Sequence, residues 1–336
     1  MMLRERVPLS SLTTLRVGGE AILVADCAQE DDVRQALALA QERGLPWRVL
    51  GEGSNVLAQD AGFEGLVIRL CGGTVSSIDK GAATVLAADA GVSWDAFVRE
   101  AASRNLWGIE NLAGIPGTVG AAPVQNIGAY GSEVKDTLVE VQALDTRTGE
   151  LLILGNKDCG FGYRESRFKH DPGLVILRVS FLLSRDGIPN LAYKDLRVAA
   201  EGGADLSTPS LVGDVVRAIR ARKFPDLATH GTAGSFFKNP TISVEAFAAL
   251  SAAHPDLPGY PNDAGVKISL AFVLDRVLGL RGYGEGNVRL FEKQPLVLVA
   301  DTGATASEID AFGKKIAERV HDELRIMIER EVRMFP

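Results

Sequence analysis

The sequence predicts an α+β protein that is built from more than one domain. The chain has 336 residues, whereas a single domain usually has about 100–200. Its first seventy residues alternate short apolar strands with an amphipathic helix, which is typical of a small α/β unit. From Thr74 onward, hairpin signals and a long irregular segment replace this alternation. These three observations together favour a mixed architecture with distinct parts.

The elements are predicted in chain order from periodicity and from end signals. Strands are predicted over residues 21–25, 47–50, 66–70, 84–88, 139–144, 151–154, 175–183, 296–299 and 324–332. Helices are predicted to begin after the N-cap candidates Asp31 and Ser93, and near Val212, Ser243, Ser269 and Thr305. The first is expected to end at Gly44 and the third before Pro225. Thr305 and Glu308 have the spacing of a capping box.

Composition and charge exclude several classes of protein. The chain is 46% hydrophobic and 24% charged, which is ordinary for a globular protein and excludes disorder. No apolar run reaches the roughly 18–20 residues of a membrane span, and no apolar segment follows the charged N-terminus, so we expect neither a membrane segment nor a signal peptide. The net charge of −7 argues against a nucleic-acid partner. Three scattered cysteines and four isolated histidines predict no metal site and favour a reducing cytoplasm.

Two glycine-rich segments are candidates for binding a phosphate-bearing ligand. Gly51, Gly53, Ser54 and Asn55 follow a predicted strand, and backbone N–H groups in such a turn can hold a pyrophosphate. The third glycine of a dinucleotide fingerprint is missing, so a plain structural turn is the alternative. Residues 111–131 contain five glycines in an irregular stretch, which is either a ligand-binding segment or a glycine-rich connector.

Three further places combine residues that could do chemistry. Arg164, in the segment 161–169, could bind a carboxylate through its guanidinium fork, and the alternative is a solvated basic turn. Ser235 could be a proton donor or a turn serine. Near the C-terminus, strand alternation would put Glu329 and Glu331 on one face, and the alternative is a solvated strand.

Seven blocks in fixed order resemble the UDP-N-acetylenolpyruvoylglucosamine reductase family, flavoenzymes of peptidoglycan synthesis. The blocks are GEGSNVL (51–57), ENLAGIPGTVGAAPVQNIGAYG (110–131), FGYRESRFKH (161–170), LAYKDL (191–196), RKFPD (222–226), AGSFFKNP (233–240) and EREVR (329–333). The resemblance implies an FAD-binding fold of the vanillyl-alcohol-oxidase type in two subdomains, 1–72 and 73–207. It also implies a substrate-binding domain over 208–323 and a C-terminal strand, within 324–336, that returns to the first subdomain. The block 191–196 resembles the form of the family with a tyrosine-containing substrate loop.

The resemblance also implies site residues, one by one. The catalytic residues would be Arg164, Ser235 and Glu331. Non-covalent FAD would be bound by Gly51, Gly53, Ser54, Asn55, Gly117, Thr118, Gly120, Asn126 and Gly128. The UDP-sugar would be bound by Tyr193, Lys223, Asn239, Lys267 and Gln294.

The implied chemistry is that of an NADPH-dependent FAD oxidoreductase. NADPH would reduce FAD and leave. The UDP-sugar would then enter the same cleft, where it would receive a hydride from the flavin and a proton from Ser235. Two other functions remain open at this point. One is an oxidase of the same fold that passes electrons to oxygen, and the other is a non-catalytic protein that binds nucleotide sugars.

Overall fold

A computed structural model describes all residues from Met1 to Pro336. The chain divides into two compact units. Unit 1 comprises Met1–Val7, Ala21–Glu52 and Glu64–Ala221, and unit 2 comprises Pro8–Glu20, Gly53–Phe63 and Arg222–Pro336. Both units contain helices and strands, so the predicted α+β class is confirmed. The division into three domains stays a prediction.

Unit 1 is built on two sheets and a short hairpin. The strands of the first sheet are β1 (Met2–Pro8), β2 (Glu20–Cys27), β3 (Trp47–Val49) and β5 (Phe63–Leu70), in the order β1-β2-β5-β3. The second sheet contains β6 (Val75–Asp79), β7 (Ala83–Asp89), β10 (Leu138–Asp145), β11 (Leu151–Gly155) and β12 (Leu174–Ser184). Its strands pair antiparallel in the order β11-β10-β12-β7-β6. The hairpin consists of β8 (Gly128–Ala129) and β9 (Ser132–Glu133).

Four helices cover these sheets. They are α1 (Glu30–Glu42), α2 (Trp94–Ser103), α3 (Lys194–Glu201) and α4 (Pro209–Lys223). Trp94 of α2 packs edge-on against Phe181 of β12, with ring centroids 5.7 Å apart. The apolar stripe of α4, which includes Val212 and Val216, is buried in the same core. This core supports the glycine-rich segment, because the Trp94 indole N–H donates a hydrogen bond of 2.9 Å to the Leu112 carbonyl.

Unit 2 consists of small sheets around one long helix. Its strands are β4 (Val56–Ala58), β13 (Thr241–Ile242), β14 (Gly259–Asn262), β15 (Gly265–Ile268), β16 (Gly284–Glu285), β17 (Val288–Phe291), β18 (Gln294–Ala300) and β19 (Arg333–Phe335). They form the sheets β13-β15-β14, β16-β17-β18 and β19-β4. Its helices are α5 (Val244–Ala253), α6 (Leu270–Phe272), which continues into a π-helical turn at Val273–Val277, and α7 (Ala306–Leu324). No helix in either unit is both long enough and apolar enough to cross a membrane.

The start of α7 confirms the predicted capping box. The Thr305 hydroxyl accepts a hydrogen bond from the Glu308 N–H, and the Glu308 carboxylate accepts one from the Thr305 N–H. Asp60 adds a second carboxylate at this helix N-terminus, where it accepts hydrogen bonds from the N–H groups of Ala306 and Ser307. Negative charge at a helix N-terminus is favourable because the first N–H groups have no partners within the helix.

Two sequence predictions about the ends of elements are wrong. Residues 324–332 are not a strand: α7 extends to Leu324, Arg325 ends it in a left-handed conformation, and the strand is β19. Leu324 is the last residue of the helix. A strand forms only at β19, because β4 provides a parallel partner there. The helix predicted to begin near Ser269 is confirmed, because Ser269 is its N-cap and α6 with its π-helical turn covers Leu270–Val277. Asp31 is not an N-cap, because α1 begins at Glu30 with Gln29 at that position.

Candidate functional site

The glycine-rich segment of unit 1 has a fixed main-chain path along the start of α2. The Trp94 N–H donates to the Gly117 carbonyl at 2.9 Å, and the Gly120 N–H donates to the Ala90 carbonyl at 2.9 Å. A Cβ at Gly120 would lie 2.5 Å from the Ala90 Cβ, so only glycine permits this approach. The segment is therefore packed structure and not a loose connector.

Gly51 and Glu52 join the first glycine turn to this segment within unit 1. A Cβ at Gly51 would lie 3.3 Å from the Thr118 hydroxyl oxygen, so the glycine leaves space beside that hydroxyl. The Glu52 carboxylate accepts a 2.8 Å hydrogen bond from the Gly117 N–H. Burial raises the pKa of Glu52, and the hydrogen bond from Gly117 opposes that effect. Glu52 was not predicted, although it stands between the two glycines of the motif.

One place in this part of unit 1 leaves room for a ligand. Gly51 leaves space beside the Thr118 hydroxyl, whereas the N–H groups of Gly117 and Gly120 already donate to Glu52 and Ala90 and fix the main chain around it. Glycine turns of this kind can accommodate a pyrophosphate. The residues present are thus compatible with FAD.

Asn126 holds the shape of the glycine-rich segment. It is completely buried, and its amide donates to the Glu133 carboxylate and to the Gly162 carbonyl, at 3.0 Å each. Its Oδ1 accepts a 3.0 Å hydrogen bond from the Lys135 N–H. The Asn126 N–H is also occupied, because it donates to the Pro123 carbonyl at 3.2 Å, so Asn126 shapes the segment from within.

Arg164 is tied to the same segment. Its Nη2 donates a 2.7 Å hydrogen bond to the Gly128 carbonyl, and its guanidinium lies 5.5 Å from the centre of the Tyr163 ring. Arg164, Asn126 and Tyr130 are three of the seven non-glycine residues in the chain with positive φ. Such backbone strain persists where the surrounding structure enforces it, and it concentrates at functional sites. The sequence-predicted Gly128 and Arg164 are therefore brought together.

The loop that carries Tyr193 is docked onto the glycine-rich segment. The rings of Tyr193 and Tyr130 meet edge to face, with centroids 5.2 Å apart. Asn111 donates 2.9 Å hydrogen bonds to the carbonyls of Tyr130 and Asn190, and the Asn190 amide donates to the Gly131 carbonyl at 3.0 Å. Burial raises the pKa of Tyr130 to about 12, against the effect of nearby Arg220. Asn111, Tyr130 and Asn190 were not predicted individually, because nothing in their spacing indicates these partners.

Unit 2 brings the predicted residues Ser235 and Glu331 into adjacent segments. On one side, the Phe236 N–H donates to the Leu296 carbonyl of β18 at 2.8 Å. On the other, the Glu331 N–H donates to the Phe236 carbonyl at 2.8 Å. Ser235 is half-buried and Glu331 is buried. The serine-containing segment thus lies between β18 and the C-terminal segment.

The remainder of the first glycine turn lies beside Glu331. The Asn55 amide donates to the Glu331 carbonyl at 3.3 Å, although the two residues are 276 positions apart. The Arg333 N–H donates to the Asn55 carbonyl at 3.1 Å. Gly53 has a φ of +63°, and a Cβ there would lie 2.3 Å from the Leu12 carbonyl oxygen. Ser54, which lies between Gly53 and Asn55 in the chain, is half-buried. Gly53 is therefore required by the turn itself.

The predicted substrate residues of unit 2 lie on its small sheets and at the end of α4. Asn239 precedes β13 and accepts a 3.0 Å hydrogen bond from the Leu270 N–H. Lys267 of β15 is paired with Thr241 on one side and with Tyr260 on the other. Gln294 is the first residue of β18, and Lys223 is the last of α4. The exposed Tyr260 was not predicted, and its position opposite Lys267 makes it a candidate for the same site.

Comparisons with known protein families assign the class of protein. Residues 21–155 match the family model described as "FAD binding domain", and residues 226–335 match "UDP-N-acetylenolpyruvoylglucosamine reductase, C-terminal domain". The N-terminal half of the chain therefore contains an FAD-binding domain, as the sequence predicted.

Individual relatives extend the similarity over the whole chain. The UDP-N-acetylenolpyruvoylglucosamine reductase of Pseudomonas aeruginosa is 41% identical over 337 residues, which cover 99% of both chains. That of Bdellovibrio bacteriovorus is 39% identical over 98% of this chain and 99% of its own. The crystal structure of the reductase from Thermus caldophilus is 27% identical, with a TM-score of 0.69 and full coverage of both chains. The chain belongs to the UDP-N-acetylenolpyruvoylglucosamine reductase family.

Proposed function

We propose that this chain catalyses the FAD-dependent, NADPH-linked reduction of UDP-N-acetylenolpyruvoylglucosamine to UDP-N-acetylmuramate in peptidoglycan synthesis. Membership of the family supports the reaction. The observation that carries the proposal for this chain is the hydrogen-bonded pairing of the segments that contain Ser235 and Glu331, beside Asn55. A protein that only bound nucleotide sugars would not need a segment with a hydroxyl residue and a segment with a buried carboxyl residue to be held side by side.

FAD would be held by main chain and small side chains. Gly51 of unit 1 leaves space beside the Thr118 hydroxyl, and hydrogen bonds from Gly117 and Gly120 hold the neighbouring main chain in place. Gly53, Ser54 and Asn55 of unit 2 continue the same stretch of chain. Gly128 completes the proposed set together with the buried Asn126, which holds the segment in shape. No histidine is present in the glycine segments 51–55 and 111–131, so the attachment is non-covalent. Bound there and reduced by NADPH, FAD would supply the hydride that the terminal carbon of the enolpyruvyl group receives.

Arg164 binds the carboxylate of the enolpyruvyl group. Its guanidinium stays charged and is held in place by the Gly128 carbonyl. As the substrate is reduced, negative charge develops on the carboxylate side, and a fixed cation stabilises that charge more than it stabilises the ground state.

Ser235 donates a proton from its hydroxyl to the carbon next to the carboxylate. A serine hydroxyl is a weak acid, so a neighbour must polarise it or return its proton. Glu331 is a carboxyl residue on the segment that is hydrogen-bonded to the segment of Ser235, through its N–H and the Phe236 carbonyl. As a carboxylate it cannot stabilise negative charge, so it acts either in its protonated form or by orienting a neighbouring donor.

The UDP part of the substrate would be bound by Tyr193, Lys223, Asn239, Lys267 and Gln294. Lys223 and Lys267 supply the positive charge that a diphosphate requires. The Asn239 oxygen already accepts the Leu270 N–H, so this residue contributes through its amide N–H₂ group. We place the reaction in the cytoplasm, where three free cysteines would remain reduced. Its partners are NADPH and the UDP-sugar.

Anaerobic stopped-flow spectroscopy tests this proposal. The purified protein should be yellow and should release free FAD on heating. NADPH should bleach the flavin, and UDP-N-acetylenolpyruvoylglucosamine should then restore the colour with formation of UDP-N-acetylmuramate. Rapid reoxidation by oxygen with no response to the UDP-sugar would instead identify an oxidase. If the protein takes up no FAD at all, the remaining alternative is a non-catalytic protein that binds nucleotide sugars.

A further inference from the structure

The residue after Ser235 is locked against helix α7. The Phe236 side chain is only 1% exposed. Its ring lies against Gly313, where a Cβ on the helix would be 2.5 Å from the ring carbon Cε1. The helix therefore carries a glycine at the point where the ring packs, and any larger residue would push Phe236 away.

Arg330 also packs on this ring. Its guanidinium lies 5.2 Å from the centre of the Phe236 ring, a distance at which a cation is attracted to the face of an aromatic ring. The same guanidinium hydrogen-bonds to the carboxylate of Asp310, which lies on α7 one turn before Gly313. Both partners of this ion pair are less than one quarter exposed. Arg330, Asp310, Phe236 and Gly313 thus form one cluster, which we call the Phe236 clamp.

Asp310 is ionised in this cluster at neutral pH. Burial alone would disfavour the carboxylate, but hydrogen bonds from Lys314 and Arg330 hold the pKa of Asp310 below its ordinary value. Lys314 reaches the carboxylate from the solvent side, at 2.9 Å, with a side chain that is 67% exposed. The two cations therefore differ, because only Arg330 contacts the ring as well.

We propose that Arg330 is a positioning residue that sets the placement of both Ser235 and Glu331. The inference rests on the proposed function. Arg330 immediately precedes Glu331 in the chain, and Phe236 immediately follows Ser235. Residues 237 and 330 are paired across the two segments, and the Glu331 N–H donates to the Phe236 carbonyl. One side chain therefore restrains the neighbours of both groups against the same helix.

Arg330 does not act as a catalytic residue. Along the extended segment, neighbouring side chains point to opposite faces, so the side chain of Arg330 points away from the face of Glu331. Lysine would be a poor substitute, because the planar guanidinium both stacks on the ring and hydrogen-bonds to Asp310. The role of Arg330 is thus to hold the segments of other residues.

The test separates the two half-reactions in the holoenzyme. In Arg330→Met and in Asp310→Asn, the reduction of FAD by NADPH should proceed at nearly the wild-type rate. Reoxidation by saturating UDP-sugar should fall by about 10- to 100-fold, since a misplacement of about 1 Å can cost about 100-fold. The value of kcat should therefore fall with little change in KM. The double variant should be no worse than either single variant, because the two residues act as a unit.

A matched control removes the other cation at the same carboxylate. Lys314→Met should leave both half-reactions at the wild-type rate. Amide hydrogen exchange in residues 234–238 and 329–333 gives a readout that does not depend on activity. It should be faster in Arg330→Met than in Lys314→Met, with no change in unit 1.

Wild-type reoxidation rates in Arg330→Met, at any temperature below its Tm, would overturn the inference and leave Arg330 a purely stabilising residue. If Arg330→Met fails to fold, Asp310→Asn and Arg330→Lys provide the same comparison, and normal reoxidation in both would overturn it equally. If the wild-type protein itself is not reoxidised by the UDP-sugar, the proposed function fails. The hydrogen-exchange comparison then still decides whether Arg330 orders the two segments.

Discussion

Replacing Gly51 by alanine separates the cofactor role of the glycine turn from its structural role. Gly51 lies outside the left-handed region of φ, and an added Cβ would meet the Thr118 oxygen at 3.3 Å and the Ala121 Cβ at 3.4 Å. These contacts are tight but involve side chains, so the protein can accept the methyl group. At compatible positions, Gly→Ala even stabilises by about 0.4–1 kcal/mol.

Gly53→Ala is the matched comparison. Its φ of +63° disfavours a Cβ by about 1–2 kcal/mol. The Cβ would also lie 2.3 Å from the Leu12 carbonyl oxygen and 2.7 Å from the Thr13 Cα, both of which are main-chain atoms. We therefore expect the free energy of unfolding of the apoprotein to fall in Gly53→Ala and to change by no more than about 1 kcal/mol in Gly51→Ala.

The affinity for FAD should fall in Gly51→Ala, although the stability of this variant should change little. In Gly51→Ala the methyl group occupies the space beside Thr118 that we propose the bound cofactor uses. The clash therefore arises only in the complex, and by analogy with overpacking in protein cores it should cost about 1–3 kcal/mol of binding free energy. Because 1.4 kcal/mol is a factor of ten in Kd, FAD should bind about 10-fold more weakly or worse. Titration of the apoprotein with FAD, followed by quenching of flavin fluorescence, measures the Kd, and urea unfolding measures stability. Wild-type affinity in Gly51→Ala would show that the cofactor does not use this space.

Three further predictions concern the proton donor, the diphosphate and a buried carboxyl group. In Ser235→Ala, FAD reduction by NADPH should stay near normal, whereas reoxidation by the UDP-sugar should fall by about 10²–10⁴-fold; unchanged stopped-flow reoxidation would remove Ser235 from the mechanism. Lys223→Ala should raise the KM for the UDP-sugar without slowing flavin reduction by NADPH. If the steady-state rate and the rate of flavin reduction fell equally, Lys223 would not be a residue that binds the diphosphate. Burial raises the pKa of Glu52 in the folded state. The wild type should therefore lose stability relative to Glu52→Gln as the pH rises above 4.5, the ordinary pKa of a glutamate. Urea unfolding at pH 4 to 7 measures this, and parallel stability curves for the two proteins would refute it.

Local requirements made part of the site predictable. The glycine turns carry their own signature, because close main-chain approach and positive φ exclude other residues, as at Gly53 and Gly120. The capping box at Thr305 is likewise a short-range pattern, and the structure confirms it. Where one residue type is required for a local geometric reason, its position could be read without knowledge of the fold.

The partners that surround each site residue could not be predicted from local sequence patterns. Asn126 was selected as a cofactor residue, yet its side chain is occupied by Glu133, Gly162 and the Lys135 N–H. Nothing in the sequence links Asn111 to Asn190, which are 79 positions apart. The C-terminal strand was predicted too early, because its bounds depend on where β4 lies and not on its own composition.

The amino-acid sequence by itself determined the α+β class, most helices and strands, and the glycine-rich segments, since these follow from periodicity, capping and backbone sterics within a few residues. The blocks of residues also sufficed to indicate the family. Only the tertiary structure decided that Asn55 meets Glu331 across 276 positions and that Arg330 holds Phe236 against α7. The physical reason is that such contacts are set by packing around a shared core, where distance along the chain carries no information about distance in space.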